Sequence, residues 1–400
     1  MKRFVLLSVL TLFGLTACDA INIDGLPGDD SGDPQNTDET YFPMPESYGE
    51  LYETDDQNFY TQQLVSGLQN PWGIAFLPEG EVLITERSGN LRMVSNGELL
   101  NSHIDGLPDI VSQGQGGLLD ILLHPDYEDN GWIYMSYSAS RSGGTHTALM
   151  RARINKSNLS LFDQEILFEG EPGTHGANHF GSRIALRGGY VYMTTGDRGH
   201  MESSQDKSNH NGVVIRLYED GRIPSDNPFV NDSQALDEIY SYGHRNPQGM
   251  QVHPETGEIW THEHGPKGGD EINIIDKGIN YGWPEITYGV NYDGTPITDR
   301  TEKEGMRSAI HHWTPSIAPC GMAFVTGDRY PGWKGDIMIG SLSLQYLHRT
   351  VINAQNHTVT KEEELLNGIG RVREVRMGPD GYLYFTEESQ GRLFRVLPED

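Results

Sequence analysis

Three short segments of this 400-residue chain hold the residue types of proton-transfer chemistry. His179 lies in Asn178-His-Phe-Gly-Ser-Arg183, Asp197 in Thr195-Gly-Asp-Arg-Gly199, and Arg245 with Asn246 in Gly243-His-Arg-Asn-Pro247. A histidine base needs an orienting carboxylate and an electrophilic partner, and these segments offer one of each. Each residue also has a plainer use. A lone histidine is more often a satisfied structural group, and Asp197 equally suits an Asx turn after a strand. Arg371 and Arg373 alternate, so on a strand both point to one side. Three arginines gathered at one place repel unless something neutralises them. Their convergence suggests a compact anion carrying several carboxylates or phosphates, with surface ion pairing as the alternative.

The run His262-Glu-His-Gly-Pro-Lys-Gly-Gly-Asp-Glu271 admits two metal readings. His262 and His264 share a strand face, but two histidines are too few to specify a transition metal. Oxygen donors are the stronger signal: carbonyls around Gly265-Pro266, with the Asp270 and Glu271 carboxylates, suit Ca²⁺. Loops of this composition also occur without metal.

Something must bring these distant segments together. One pattern recurs six times: a turn glycine, a variable residue, then three largely apolar residues running into a small or polar one. It reads Gly80 to Thr85, Gly131 to Ser136, Gly189 to Thr194, Gly257 to His262, Gly335 to Gly340 and Gly381 to Thr386. A second short apolar strand precedes most of these turns. Six hairpins at blade-like spacing predict an all-β fold, a six-bladed β-propeller of four-stranded antiparallel blades, over residues 51–400. A β-sandwich with similar turns is the alternative, but it needs no such regular spacing. In each antiparallel hairpin the start of the first strand and the end of the second lie at the same end of the blade. Gln115, His179, Arg245, Asn246, Arg371 and Arg373 enter first strands, whereas Asp197, Arg198 and His262 to His264 leave second strands. All should therefore gather on one face of the propeller.

Composition narrows the partners. The 48 Gly and 21 Pro are the punctuation of short strands, not of helices. A formal charge of −28 argues against a nucleic-acid partner, which needs basic surface. Lys2 and Arg3, the apolar run Phe4 to Leu15 and the ending Leu15-Thr16-Ala17-Cys18 read as an export signal over residues 1–17. That ending resembles a bacterial lipobox, which makes Cys18 a lipid anchor on the periplasmic face of a membrane. Asp19 resembles an inner-membrane retention signal, and a plain signal peptide leading to the soluble periplasm is the alternative. Residues 18–50 read as an acidic, disordered tether. Only Cys320 then remains, so no intrachain disulfide is expected.

Together the segments resemble the soluble glucose/sorbosone dehydrogenase family, specifically its aldose sugar dehydrogenases dependent on pyrroloquinoline quinone. The resemblance spans roughly residues 60–397. It rests on Asn70-Pro-Trp-Gly73, Gln115-Gly-Gly-Leu-Leu119, His179-Phe-Gly-Ser-Arg183, Gly196-Asp197, Gly243-His-Arg-Asn-Pro-Gln-Gly249, Glu263-His-Gly-Pro266, Asp270-Glu-Ile-Asn273, Asn280-Tyr-Gly-Trp-Pro284 and Arg371-Val-Arg373. It implies a tricarboxylated quinone on the axial face, matching the expected anion. It also implies His179 as the base on the sugar's anomeric hydroxyl, Asp197 as its orienter, Gln115 as a substrate contact and Arg245 as the oxyanion partner. Arg245, Asn246, Arg371 and Arg373 would hold the cofactor. The carbonyls of Gly265 and Pro266 would bind the Ca²⁺ that polarises it, and Glu271 and Tyr281 match a second, structural Ca²⁺ site. The electron acceptor is not implied. One departure stands out: where members carry Ser-Leu-Lys or Ala-Leu-Lys, this chain has Ser341-Leu-Ser343. Loss of that lysine would weaken cofactor binding by about 1.5–3 kcal/mol. A non-redox carbohydrate-binding propeller and a Ca²⁺-dependent, lactonase-like hydrolase remain alternatives.

Overall fold

β-Branched and aromatic residues on both sides of a glycine turn favour paired strands, and the computed structural model, which describes residues 41–399, contains all six hairpins. The first strands are Pro71–Phe76, Leu118–Leu123, Ile184–Arg187, Pro247–Val252, Pro319–Phe324 and Val372–Met377, here blades one to six. Each pairs antiparallel with the strand after its turn. The six turn glycines all take positive φ, from 67° at Gly257 to 99° at Gly80, which a side chain would resist. Six four-stranded sheets result, and their first strands contact one another in a ring. The protein is the expected six-bladed β-propeller.

Ring closure uses both ends of the described chain. Phe59–Val65 pairs with Arg392–Pro398, so the outermost strand of blade six comes from the beginning of the chain. The apolar core is divided among the blade interfaces. One cluster unites Leu83 and Met93 with Leu118 and Met135, the next Leu149 with Val191 and Ile215, and so on around the ring. The expected tether ran to residue 50, but Phe42 is 2 % exposed within the cluster between blades six and one. Arg395 donates to the Phe42 and Pro43 carbonyls at 3.1 and 3.0 Å. Packed structure therefore includes Phe42, inside the stretch expected as tether. The leader over 1–17, Cys18, Asp19 and the earlier tether lie outside the described residues.

Where the first strands face the axis, apolar packing gives way to buried charge. Arg183 from blade three meets Asp120 of blade two at 3.3 Å and pairs closely with Glu374 of blade six. Arg376 completes the group, 3.2 Å from Asp120. Arg183 Nε also donates to the Gln248 carbonyl of blade four at 2.7 Å. This ionic plug fixes the floor on which the axial site rests.

Candidate active site

A cavity of about 230 Å³ lies beside the plug, lined by Trp72, Gln115, Phe180, Arg371 and Arg373 among others. Plug and cavity share parts: the Arg183 guanidinium stacks on the Trp72 ring at 4.0 Å and donates to the Arg373 carbonyl. Nearly all of the lining residues enter a first strand or leave a second one, as hairpin polarity requires.

His179 stands at the cavity's edge, joined to the lining through Phe180 in sequence and through Gln115, whose Oε1 accepts the His179 N–H at 2.7 Å. Its φ of 54° is left-handed, and Ser182 follows with φ 93°. Such residues cost about 1–3 kcal/mol each and persist only where neighbours over-determine them. Here Thr147 Oγ1 holds the Phe180 carbonyl at 2.7 Å, Ser136 Oγ the Ser182 carbonyl at 2.6 Å, and the Gly181 N–H donates to Asn246. The turn thus presents the imidazole at a fixed angle.

Asp197 lies 2.6 Å from His179 Nδ1 through Oδ1. The Gly199 N–H donates to the same oxygen at 2.7 Å, and Trp283 Nε1 donates to Oδ2 at 2.9 Å. Burial would raise this carboxyl, but the hydrogen bond and charge of His179, the Gly199 N–H and nearby Arg245 hold it below the usual carboxylate range. An ionised Asp197 can only accept, so Nδ1 carries a proton, and in the neutral imidazole the lone pair for an incoming hydroxyl is on Nε2. Trp283 belongs to a loop outside the hairpin pattern, and sequence reasoning assigned it no role.

Arg371 and Arg373 both reach Glu388, at 3.4 and 2.9 Å, so they do project to one side. Arg245 and Asn246 are placed differently. Asn246 is 1 % exposed and its Oδ1 accepts from Gly181 and Gln248, behind the cavity wall. Arg245 donates to the His264 carbonyl at 3.0 Å and lines a second, smaller cavity. That space, about 10 Å³, suits a single ion-sized occupant and is also bordered by Glu263, Gly265, Glu271, Tyr281 and Thr287. Pro266 is not part of its lining. Glu271 is pushed up to about 8 by burial and by repulsion from Glu263 and Asp270, an excess of negative charge that a cation would relieve.

Several of the expected metal donors have their side chains engaged elsewhere. Asp270 is not a free ligand: its oxygens accept from Gly265 N, Ser316 Oγ and Ala318 N at 2.6–2.8 Å, which pins the Gly265 loop to blade five. Tyr281 likewise uses its hydroxyl on the Ile274 carbonyl and the Asp276 N–H, leaving only its main-chain oxygen for a metal. No group of three or more His, Cys, Asp or Glu able to hold a metal occurs among the described residues, so Ca²⁺ here would depend on carbonyls. His262 and His264 are not a metal pair either. Their Nε2 atoms bond the Gly321 and Pro319 carbonyls at 3.0 and 2.9 Å, tying blade four to blade five. Gly249 permits this, because a Cβ there would sit 2.1 Å from His262 Nε2.

Burial drives His262 down to about 3. The unfolded chain takes up this proton near pH 6.5, whereas the fold refuses it, so stability is greatest above that pH and falls as pH drops toward 3. His262→Gln keeps an N–H for the Gly321 carbonyl and cannot titrate. Urea unfolding between pH 6 and 4.5 should show a slope about 1.4 kcal/mol per pH unit shallower for this variant than for wild type. Parallel slopes would refute the assignment.

Known proteins resemble the chain in both sequence and fold. The family model described as "Glucose / Sorbosone dehydrogenase" matches residues 68–395. The aldose sugar dehydrogenase YliI of Escherichia coli strain K12 is 40 % identical over 340 residues, 83 % of this chain and 91 % of that protein. The crystal structure of the soluble aldose sugar dehydrogenase from E. coli in the apo-form superposes with a TM-score of 0.82 at 38 % identity, covering 85 % of this chain and 100 % of that one. A PQQ-bound aldose sugar dehydrogenase from Streptomyces coelicolor gives 0.69 at 26 % identity, covering 84 % and 97 %.

Proposed function

The chain belongs to the glucose/sorbosone dehydrogenase family, and on that premise we propose that it oxidises the C1 hydroxyl of an aldose to the lactone with pyrroloquinoline quinone and Ca²⁺. A sugar oxidoreductase is what the family relationship itself establishes. The observation that carries the finer reading is the make-up of the axial cavity. Flat apolar groups (Trp72, Phe180) and the guanidiniums of Arg371 and Arg373 line one space, which suits a planar, polycarboxylated ring and has no use for a neutral lactone.

When bound, the quinone would supply a two-electron hydride acceptor, made more electrophilic by Ca²⁺ on the Gly265 and Pro266 carbonyls. Arg371 and Arg373 would hold its carboxylates from the lining, while Arg245 and Asn246 would support it from behind. His179 Nε2 takes the proton of the anomeric hydroxyl as the C1–H pair departs. Asp197 keeps the imidazole in the tautomer able to do so, and stabilises it once protonated. Gln115 fixes the His179 backbone and reaches the cavity, where it can position the sugar. Arg245, which lies behind the axial lining, would offset oxyanion charge through its field. Glu271 and Tyr281 would contribute to a structural Ca²⁺ in the small space that Gly265 also borders. We further propose an exported chain anchored through Cys18 at the periplasmic face, with Asp19 favouring the inner membrane. The basic Lys2-Arg3 pair and the apolar run after it support this.

Purified apoprotein mixed with Ca²⁺ and pyrroloquinoline quinone should reduce an artificial electron acceptor with at least one member of an aldose panel, and a chelator should abolish the rate. Absence of both turnover and a calorimetric signal for quinone binding would refute the proposal.

A further inference from the structure

The axial cavity holds one cation that neither the sequence pattern nor the proposed mechanism uses. Arg87, which follows the second strand of blade one, lines the cavity beside Arg371, Arg373 and Glu388. Its own hydrogen bonds go to neutral acceptors, the Gly114 carbonyl at 2.6 Å and Asn70 Oδ1 at 3.1 Å. The carboxylate it approaches in the cavity, Glu388, is 3.9 Å away and already carries Arg373 at 2.9 Å and Arg371 at 3.4 Å. Burial would raise Glu388, but the arginines hold it below the usual carboxylate range, so it counts as one full negative charge. Three guanidiniums against one carboxylate leave the lining with a surplus of two positive charges. Burial pulls the Arg87 guanidinium below its ordinary value, Glu388 offsets only part of this, and Arg373 and Arg371 add to it. A cation in that position lacks a partner of its own. Blade five contributes no such charge: Ser343 is exposed and donates to the Ser316 carbonyl at 3.0 Å, and its neighbour Leu342 lines the cavity instead.

We propose that Arg87 is a third guanidinium arm for the anionic ligand of this cavity, taking a carboxylate of the quinone from blade one where blade five offers only Ser343. The idea rests on the quinone reading above. Its placement also links the two ends of the site. The Gly114 carbonyl that orients Arg87 immediately precedes Gln115, which in turn holds the backbone of His179. Arg87 is therefore a binding residue whose bond to Gly114 has a separate positioning effect, and the two can be told apart by charge.

Calorimetric titration of the Ca²⁺-loaded protein with pyrroloquinoline quinone separates these effects without turnover. Arg87→Gln keeps a donor for the Gly114 carbonyl but removes the charge, and should weaken binding roughly 10- to 100-fold. Arg87→Lys keeps the charge and should stay within about fivefold of wild type, because the fork geometry is lost but the Coulomb attraction remains. The dependence of affinity on salt should be shallower for Arg87→Gln than for wild type. Quinone binding by wild type with Arg87→Gln unchanged would overturn this proposal alone, as would equal weakening by Gln and Lys. Failure of wild type to bind the quinone would overturn the functional reading and this proposal with it.

Discussion

Replacing His179 with asparagine should lower kcat for aldose oxidation by about 10²–10⁴, the usual contribution of a positioned general base, while quinone binding persists. Asparagine is the informative substitution because the residue sits at φ 54°, a left-handed conformation that asparagine tolerates and alanine does not favour. It can also offer an amide N–H toward Asp197, whose buried carboxylate would otherwise lose its 2.6 Å partner. His179→Ala should be equally inactive and less stable, by about 1–3 kcal/mol for the unsatisfied carboxylate. The matching change behind the histidine is Asp197→Asn. Three donors converge on that carboxylate, from His179, Gly199 and Trp283. An amide has only one accepting atom, so its N–H must face either Trp283 alone, at the Oδ2 position, or both His179 and Gly199, at the Oδ1 position. In the second orientation the His179 proton moves to Nε2 and the base is blocked. Rate assays, with thermal melts and quinone calorimetry on the same variants, check the set. Near-normal turnover of His179→Asn would refute the assignment of the base.

The pairing behind that prediction was legible only because the chain repeats itself. Glycine turns in one register fix which ends of the strands share a face, and that register brought His179, Asp197, Arg371 and Arg373 to one end of the propeller without any knowledge of their contacts. The same register marks Arg87 and Glu388 in blades one and six, yet neither stands in a motif that drew notice. Other features depend on partners that no local pattern encodes. His262 and His264 alternate on a strand like metal ligands, but their acceptors are the carbonyls of Gly321 and Pro319, more than fifty residues away on the next blade. Asn246 lies beside Arg245 in sequence, but hydrogen bonding to Gly181 turns it behind the wall. Closure of blade six by Phe59–Val65 joins strands more than 300 residues apart. Acidic composition hid packed residues ahead of position 51 as well. Tyr41 and Phe42 are the aromatic pair in a polar stretch, and Phe42 is buried against Tyr384.

Charge on the axis was hardest to read, and its removal should have the largest effect on stability. Arg183→Met is expected to destabilise the fold by about 3–5 kcal/mol, the cost of breaking a buried ion pair from one side. Arg183 is 2 % exposed, and Asp120 and Glu374 are 1 % exposed each. Without the guanidinium, two buried carboxylates would share only Arg376, which stands 3.2 and 3.6 Å from them, and main-chain N–H groups such as those of Ile121, Ile184 and Val375. The loss should come from this uncompensated charge and not from the missing side-chain volume, which methionine largely restores. Arg183→Met combined with Glu374→Gln should therefore recover a large part of the stability, since a neutral amide needs no counter-ion. Guanidinium unfolding of wild type, single and double variants supplies the cycle. Additive losses, or a single-variant loss below about 1 kcal/mol, would show that the axis is held by its apolar surroundings instead. If the cycle closes as expected, the plug has a functional consequence too. It joins blades two, three, four and six directly beneath Trp72 and Arg373, so the single variant should also loosen quinone binding, and the double variant should restore part of it.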